Sequence, residues 1–256
     1  MTEDLNPLSL RGRRVLVTGA ASGIGFATCA LLSRLGARVV AADVDNSGLV
    51  EVERELSGEG HAFLRRDLRD VESIPSWMEE VASAGGRLSG VVHAAGLRSI
   101  QPVRLLTPSS YRDVLLVNTE AALALAKGFQ SRKVIGPSGG SLVFISSVMA
   151  CAGSPGAAAY SLSKAALHGL GRTLAIELAP RNIRVNSVAP GFVKTPMFER
   201  VSAMWNAEQR ARVEADHPLG LGTPNDVANA CAFLLADTGR WITGSVLMVD
   251  GGYTAH

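Results

Sequence analysis

Aromatic side chains are scarce in this 256-residue chain: phenylalanine, tryptophan and tyrosine together make 5% of it. There are three tyrosines, Tyr111, Tyr160 and Tyr253, so chemistry that needs a phenol has few candidates. Cysteine is equally sparse. Cys29, Cys151 and Cys231 are odd in number, far apart and form no CxxC pair. That argues against a disulfide framework and for a reducing, cytoplasmic compartment. Cys151 reads as a small packing residue, not an activated thiolate. The histidines His61, His93, His168, His217 and His256 lack zinc spacing, so no metal is expected. No apolar run reaches the roughly 20 residues of a membrane helix, and no charged and then apolar leader opens the chain. Neither membrane contact nor a signal peptide is expected. An excess of one charge is missing too. The net charge is +2, and basic residues gather only in short clusters such as Arg11-Gly12-Arg13-Arg14 and Arg65-Arg66. These read as solvated surface, not as the basic stripe of a nucleic-acid binder.

What is present is a 47% hydrophobic fraction beside 19% charge, which excludes a disordered chain. The length suits one domain over 1–256 with a large core. Short β-branched runs at 14–18, 38–43, 61–67, 89–94, 141–146, 183–188 and 245–249 read as strands. Helical periodicity fills 23–35, 47–57, 70–84, 107–132 and 159–179. The strands are apolar on both faces, as in a parallel sheet covered on both sides. The alternation predicts an α/β fold, a doubly wound, Rossmann-like sheet of about seven strands. Residues 192–222 break the rhythm with short pieces bounded by Pro196 and Pro218, and read as a substrate lid.

Between the first strand and first helix runs Thr18-Gly19-Ala20-Ala21-Ser22-Gly23-Ile24-Gly25. Glycines there let backbone turn sharply and approach a pyrophosphate at the helix N-terminus, where N–H groups and the dipole favour an anion. Asp43 ends the second strand 18 residues after Gly25, placed to accept both hydroxyls of an adenosine ribose. A carboxylate there repels a 2′-phosphate. No Arg or Lys lies in the glycine loop, and Val44 follows the acid, so the pattern favours NAD over NADP.

Tyr160 and Lys164 stand four residues apart at the start of a helix, hence on one face. A free tyrosine has a pKa near ~10, and lowering it by about three units takes ~4 kcal/mol. One ammonium at about 4 Å supplies ~1 kcal/mol in bulk water and up to ~4 at an effective dielectric near 20. The pair therefore needs a partly dry cleft. Ser146-Ser147 ends the preceding strand, at the sheet edge where open α/β folds bind ligands, 13 residues before Tyr160.

In order and over nearly the whole chain, a set of motifs resembles the compact short-chain dehydrogenase/reductase family. They are TGAASGIG (18–25), Asp43, Asp67-Leu68, His93-Ala94-Ala95-Gly96, Asn118, ISS (145–147), YSLSK (160–164), Asn186 with Pro190-Gly191, and Val249-Asp250-Gly251-Gly252. The resemblance implies Tyr160 as general acid/base, with Lys164 depressing its pKa and binding the nicotinamide ribose. Ser147 would hydrogen-bond the reacting oxygen, and Asn118 would hold a water in a proton relay. Gly19, Ser22, Gly23, Ile24 and Gly25 would cradle the cofactor, with Asp43 and Val44 at its ribose. Asp67 and Leu68 would edge the adenine, beside Ala94, Ala95 and Gly96. Pro190, Gly191, Val193 and Thr195 would border the nicotinamide. One departure stands out: His93-Ala94 occupies the place of a frequent Asn-Asn. His93 reads as a core-edge residue whose ring replaces an amide hydrogen bond, with a proton carrier as the alternative.

Arg98, Val148, Met149, Gly153, Phe192, Met197, Phe198 and Trp205 would face the substrate together with Ser147 and Tyr160. Most are apolar, so an alcohol or ketone with a hydrophobic body is expected. Arg98 suits a carboxylate or phosphate; the plainer reading is a solvated loop arginine. The expected function is an NAD-dependent oxidoreductase acting on a secondary alcohol/ketone pair. One alternative is a 3-oxoacyl-carrier-protein reductase using NADPH, which Asp43 and the missing basic patch disfavour. A remote one is a non-catalytic dinucleotide-sensing protein, which would be expected to lose the tyrosine or lysine. The resemblance also implies a homotetramer or homodimer packed through the helices near 107–132 and 159–179.

Overall fold

Seven short runs rich in valine, isoleucine and alanine become strands in the computed structural model, which describes residues 6–255. His256 and residues 1–5, read above for histidine spacing and for a leader, lie outside the described residues. The strands are β1 (Arg14–Thr18), β2 (Arg38–Asp43), β3 (Ala62–Arg65), β4 (Gly90–His93), β5 (Gly140–Ile145), β6 (Ile183–Pro190) and β7 (Val246–Val249). They form one parallel sheet in the order β3-β2-β1-β4-β5-β6-β7. Strand order reverses between β1 and β4, which opens a crevice at their carboxyl ends.

The helices are α1 (Gly23–Arg34), α2 (Asn46–Glu55), α3 (Ile74–Gly85), α4 (Pro108–Leu115), α5 (Ala121–Phe129), α6 (Ala158–Leu178), α7 (Pro196–Ser202), α8 (Ala207–Ala215) and α9 (Pro224–Leu235). Successive strand residues point to opposite faces, so each strand feeds two cores. Leu16, Val91, Leu142 and Phe144 pack with Leu125, Phe129 and Leu167 on one side. Val15, Val17, Val92 and Val143 pack with Cys29, Leu32, Val227 and Cys231 on the other. Each fully buried leucine of this kind contributes roughly 1.5–3 kcal/mol. Among the described residues no helix is long and apolar enough to cross a membrane.

Four differences from the sequence reading have local causes. The third strand is shorter than 61–67; at its start the His61 Nδ1 accepts the Val39 N–H (3.0 Å) in place of a backbone carbonyl. The third helix starts at Ile74 instead of 70, where Pro75 sits in the first turn and fixes the start. The stretch 107–132 is not one regular helix: a π-helical turn, Leu116–Glu120, separates α4 from α5. α9 was not anticipated, although a capping box of Thr223 with Asp226 and a proline in the first turn announce it. It packs on α1 and closes one core.

The excursion 192–222 carries α7 and α8. Its ends are tied by a parallel bridge between Val193 and Gly222, with Gly222 N–H donating to Phe192 O (3.0 Å). Asn186 Nδ2 donates to Ile242 O (2.9 Å) and its Oδ1 accepts the Ser245 N–H (3.1 Å), which fixes the chain entering β7.

The turn from β1 into α1 tolerates no side chains at two points. Gly19 has φ +69°, and a Cβ there would stand 2.5 Å from Ala95 N. A Cβ on Gly25 would overlap the Gly19 carbonyl. Gly25→Ala is expected to cost about 1–3 kcal/mol through overpacking, read as a lower urea midpoint at unchanged m-value. An unchanged midpoint would contradict this close approach.

Candidate functional site

A cleft of about 760 Å³ opens at the carboxyl ends of β1, β2 and β4. Gly19, Ser22, Gly23, Ile24 and Gly25 line it, with Asp43 and Val44, Asp67 and Leu68, Ala94, Ala95 and Gly96, and Thr195. Ser22 precedes α1 without a side-chain cap, and the first turn holds no acid, so its N–H groups face the cleft unneutralised. Asp43 is held in place by two amides. Its Oδ2 accepts the Ala21 N–H and its Oδ1 the Asp45 N–H, each at 3.0 Å. A glycine cradle too tight for Cβ atoms, an open helix N-terminus and an oriented carboxylate at the rim fit a dinucleotide.

Sequence reasoning missed the cations at this end. Arg65, Arg66, Arg69 and Arg200 also line the cleft. Arg65 lies opposite Asp43 in the β2–β3 register, and its Nε donates to Val44 O (3.3 Å). The register could not be read before the strands were paired. Asp67 does not stand free: Arg69 Nη2 donates to its Oδ2 at 2.6 Å and holds its carboxyl below the usual range.

A smaller pocket of about 100 Å³ adjoins it at the ends of β5 and β6. Ser147, Tyr160 and Lys164 meet there. Ser147 follows β5, and its Oγ accepts the Met149 N–H (3.2 Å), which leaves its proton for the Tyr160 oxygen. Lys164 is 3% exposed, and its Nζ donates to Ile145 O at 2.7 Å. Burial pulls its pKa down from 10.5 to about 8, so it remains mostly a cation at neutral pH. Ser146, given no role from the sequence, fastens the helix. Its Oγ donates to Lys164 O (3.1 Å) and lies 2.8 Å from His168 Nε2.

Burial pushes the Tyr160 phenol above its ordinary value, while Arg98 and the Ser147 hydrogen bond pull it back. Lys164 was expected to supply that pull. In this structure its ammonium is bound to Ile145 O and sits 5.8 Å from the Tyr160 ring centre. Arg98 is the nearer influence, its guanidinium 5.5 Å from the Tyr160 ring and 5.7 Å from Phe192. The solvated-loop reading of Arg98 is therefore corrected: it lines the pocket and is largely desolvated.

Pro190, Gly191, Phe192, Val193, Met149, Val148, Met197 and Phe198 complete the pocket. Trp205 does not line it, because it packs edge-on behind Phe192 (5.7 Å) and Phe198 (5.8 Å). Gly153 lies in an exposed turn with nothing within 4 Å of a built Cβ. Cys151 is exposed instead of packed. Among the described residues no group of three His, Cys, Asp or Glu could hold a metal.

Asn118 sits behind both clefts in the π-helical turn, fully buried. Its Oδ1 accepts the Leu97 N–H (2.8 Å), and its Nδ2 donates to Leu97 O (2.9 Å) and Ser163 Oγ (2.9 Å). The carboxamide thus clamps the loop after β4. His93 does similar work one layer deeper. Its Nε2 donates to Val117 O (3.1 Å), so its Nδ1 accepts the Thr18 hydroxyl (2.8 Å). Burial first, and Lys164 second, pull its pKa from 6.5 to about 3. With both ring nitrogens engaged and burial disfavouring its charged form, the ring serves as a neutral brace.

The family model described as Enoyl-(Acyl carrier protein) reductase matches residues 19–254. The cis-4-hydroxycyclohexanecarboxylate dehydrogenase of Sinomonas cyclohexanicum is 37% identical, covering 95% of this chain and 97% of that one. The 3-oxoacyl-[acyl-carrier-protein] reductase of Thermotoga maritima is 35% identical, covering 96% and 99%. A solved structure of a proposed NAD(P)-dependent gluconate 5-dehydrogenase from Beutenbergia cavernae, with NADP bound at low occupancy, superposes with a TM-score of 0.89. It is 35% identical and covers 98% of this chain and 100% of that one.

The brace makes a prediction for His93. Its folded pKa lies below the unfolded one, so its stabilisation is full above pH 6.5 and is lost as pH falls from there towards 3. In NMR titration His93 should stay neutral between pH 5 and 9. His93→Ala should cost about 1–3 kcal/mol for each polar partner left buried, Thr18 Oγ1 and Val117 O. A His93 resonance titrating near pH 6.5 would contradict the brace.

Proposed function

Because the chain belongs to the short-chain dehydrogenase/reductase family, oxidoreductases with a nicotinamide dinucleotide cofactor, we propose that it interconverts a secondary alcohol and its ketone with NAD(H). The observation that carries this reading is the meeting of Ser147, Tyr160 and Lys164 at the mouth of a cleft whose far rim presents the Asp43 carboxylate.

Bound NAD supplies the hydride acceptor in oxidation and, reduced, the donor in reduction. The protein positions and polarises. Tyr160 takes the alcohol proton as hydride leaves carbon, and returns it to the carbonyl oxygen in the reverse direction. Ser147 donates a hydrogen bond to the same oxygen and steadies developing negative charge. Lys164 keeps a buried positive charge beneath the phenol and would bind the nicotinamide ribose. Gly19 to Gly25 would hold the pyrophosphate at the start of α1, and Asp43 the adenosine ribose. Pro190, Gly191, Val193 and Thr195 would border the nicotinamide, and the 192–222 excursion would act as a lid over an apolar substrate body. Asn118 acts by clamping the loop at Leu97.

A second reading, NADPH-dependent reduction of a 3-oxoacyl group, draws on the Thermotoga relative and on Arg65 beside Asp43. Asp43 weighs against it, because a 2′-phosphate would meet a fixed carboxylate. A cofactor sensor without turnover is disfavoured by the intact tyrosine and lysine. Self-association through α5 and α6 is supported by the exposed Leu123, Leu162 and Ile176 on them.

Steady-state rates with a panel of secondary alcohols test the cofactor choice. The kcat/KM for NAD should exceed that for NADP by at least about tenfold, the worth of one ~1.4 kcal/mol interaction. Asp43→Ala should narrow the gap, mainly by losing NAD. A wild-type preference for NADP would overturn the role of Asp43.

A further inference from the structure

Building on the proposed alcohol/ketone site, we propose that its substrate is a small hydroxy acid whose carboxylate is received by Arg98. Two cations, Arg98 and Lys164, line the catalytic pocket, and no Asp or Glu lines it. Lys164 is already bound to Ile145 O. Arg98 makes no ion pair among the described residues, and its Nε is buried without a hydrogen-bond partner. Arg98 also makes no hydrogen bond among the described residues, so its terminal N–H groups are left for an anion entering the pocket. The guanidinium is a planar fork that matches a carboxylate bidentately, in a way a lysine cannot.

The position of Arg98 is built in. Its neighbour Leu97 is gripped through both backbone groups by Asn118. Its guanidinium lies over Tyr160 and Phe192, which direct it across the pocket. The Tyr160 phenol marks where the carbinol oxygen must sit. Carboxylate and carbinol therefore belong to one compact molecule joined by a short spacer, in a pocket of about 100 Å³. Met149, Phe192, Met197 and Phe198 surround the spacer and call for hydrocarbon, a ring or short chain. A long acyl thioester carries no anion at that distance and leaves Arg98 unpaired.

The test compares matched alcohols with NAD as cofactor: 3-hydroxycyclohexanecarboxylate against its carboxamide, and 3-hydroxybutanoate against its amide. For the wild type, kcat/KM should favour the acid by about ten- to hundred-fold, as for one charged hydrogen-bonded pair. Arg98→Gln should bring the ratio close to one, and Arg98→Lys should restore part of it. In the wild type, cyclohexanecarboxylate should inhibit competitively against the alcohol and cyclohexanecarboxamide much less; this arm needs no variant to fold. Equal turnover of acid and amide, or a ratio kept by Arg98→Gln, overturns the carboxylate site and leaves the alcohol/ketone reading standing. If neither acids nor neutral alcohols are turned over, that reading fails and the carboxylate site with it.

Discussion

A buried ammonium is the constraint around which the site is built. Lys164 lies almost out of solvent, and one backbone carbonyl, Ile145 O, receives it at 2.7 Å. A lysine so buried needs its partner held rigidly, since an unpaired buried charge would be lost by deprotonation. Rigidity comes from both sides. Ile145 ends a central strand, and Ser146 bonds the Lys164 carbonyl, so helix α6 cannot slide along β5. One turn earlier on the same helix stands Tyr160, and just beyond Ser146 stands Ser147. Fixing the lysine thus fixes the phenol and the hydroxyl beside it.

The loop after β4 is held by an equally local device. The π-helical turn at Leu116–Glu120 brings Asn118 against Leu97 and turns Val117 O towards His93. Arg98 inherits its position from this clamp. Four of the chain's aromatic side chains gather in the same neighbourhood. Phe192, Phe198, Trp205 and Tyr253 meet edge-on or tilted with His217 between them, and they shape the wall opposite Tyr160.

Much of the fold and the site was legible in the sequence because it is written at short range. Tyr160 and Lys164 share a helical face at i and i+4 spacing, and the glycine loop must precede α1 because only glycine fits where Cβ atoms would overlap backbone. Alternating strand and helix runs led directly to the parallel sheet. What was not legible depends on contacts between distant segments. Arg65 meets Asp43 only through strand register, Arg98 meets Tyr160 only through the Asn118 clamp, and His93 becomes a brace only when Thr18 and Val117 flank it. The π turn adds one residue to a helix without changing its composition. α9 is the exception, since its cap is readable at short range in Thr223-Pro224-Asn225-Asp226.

Proton transfer by the Tyr160 oxygen is the central claim, and removing that one atom is its most direct test. Tyr160→Phe keeps the ring that packs against Val148 and Met149 and loses only the hydroxyl. Turnover of a secondary alcohol should fall by about 10²- to 10⁴-fold, the usual worth of a positioned acid/base, while NADH binding, read by fluorescence, stays at the wild-type level. Turnover within a few-fold of wild type in Tyr160→Phe would contradict it.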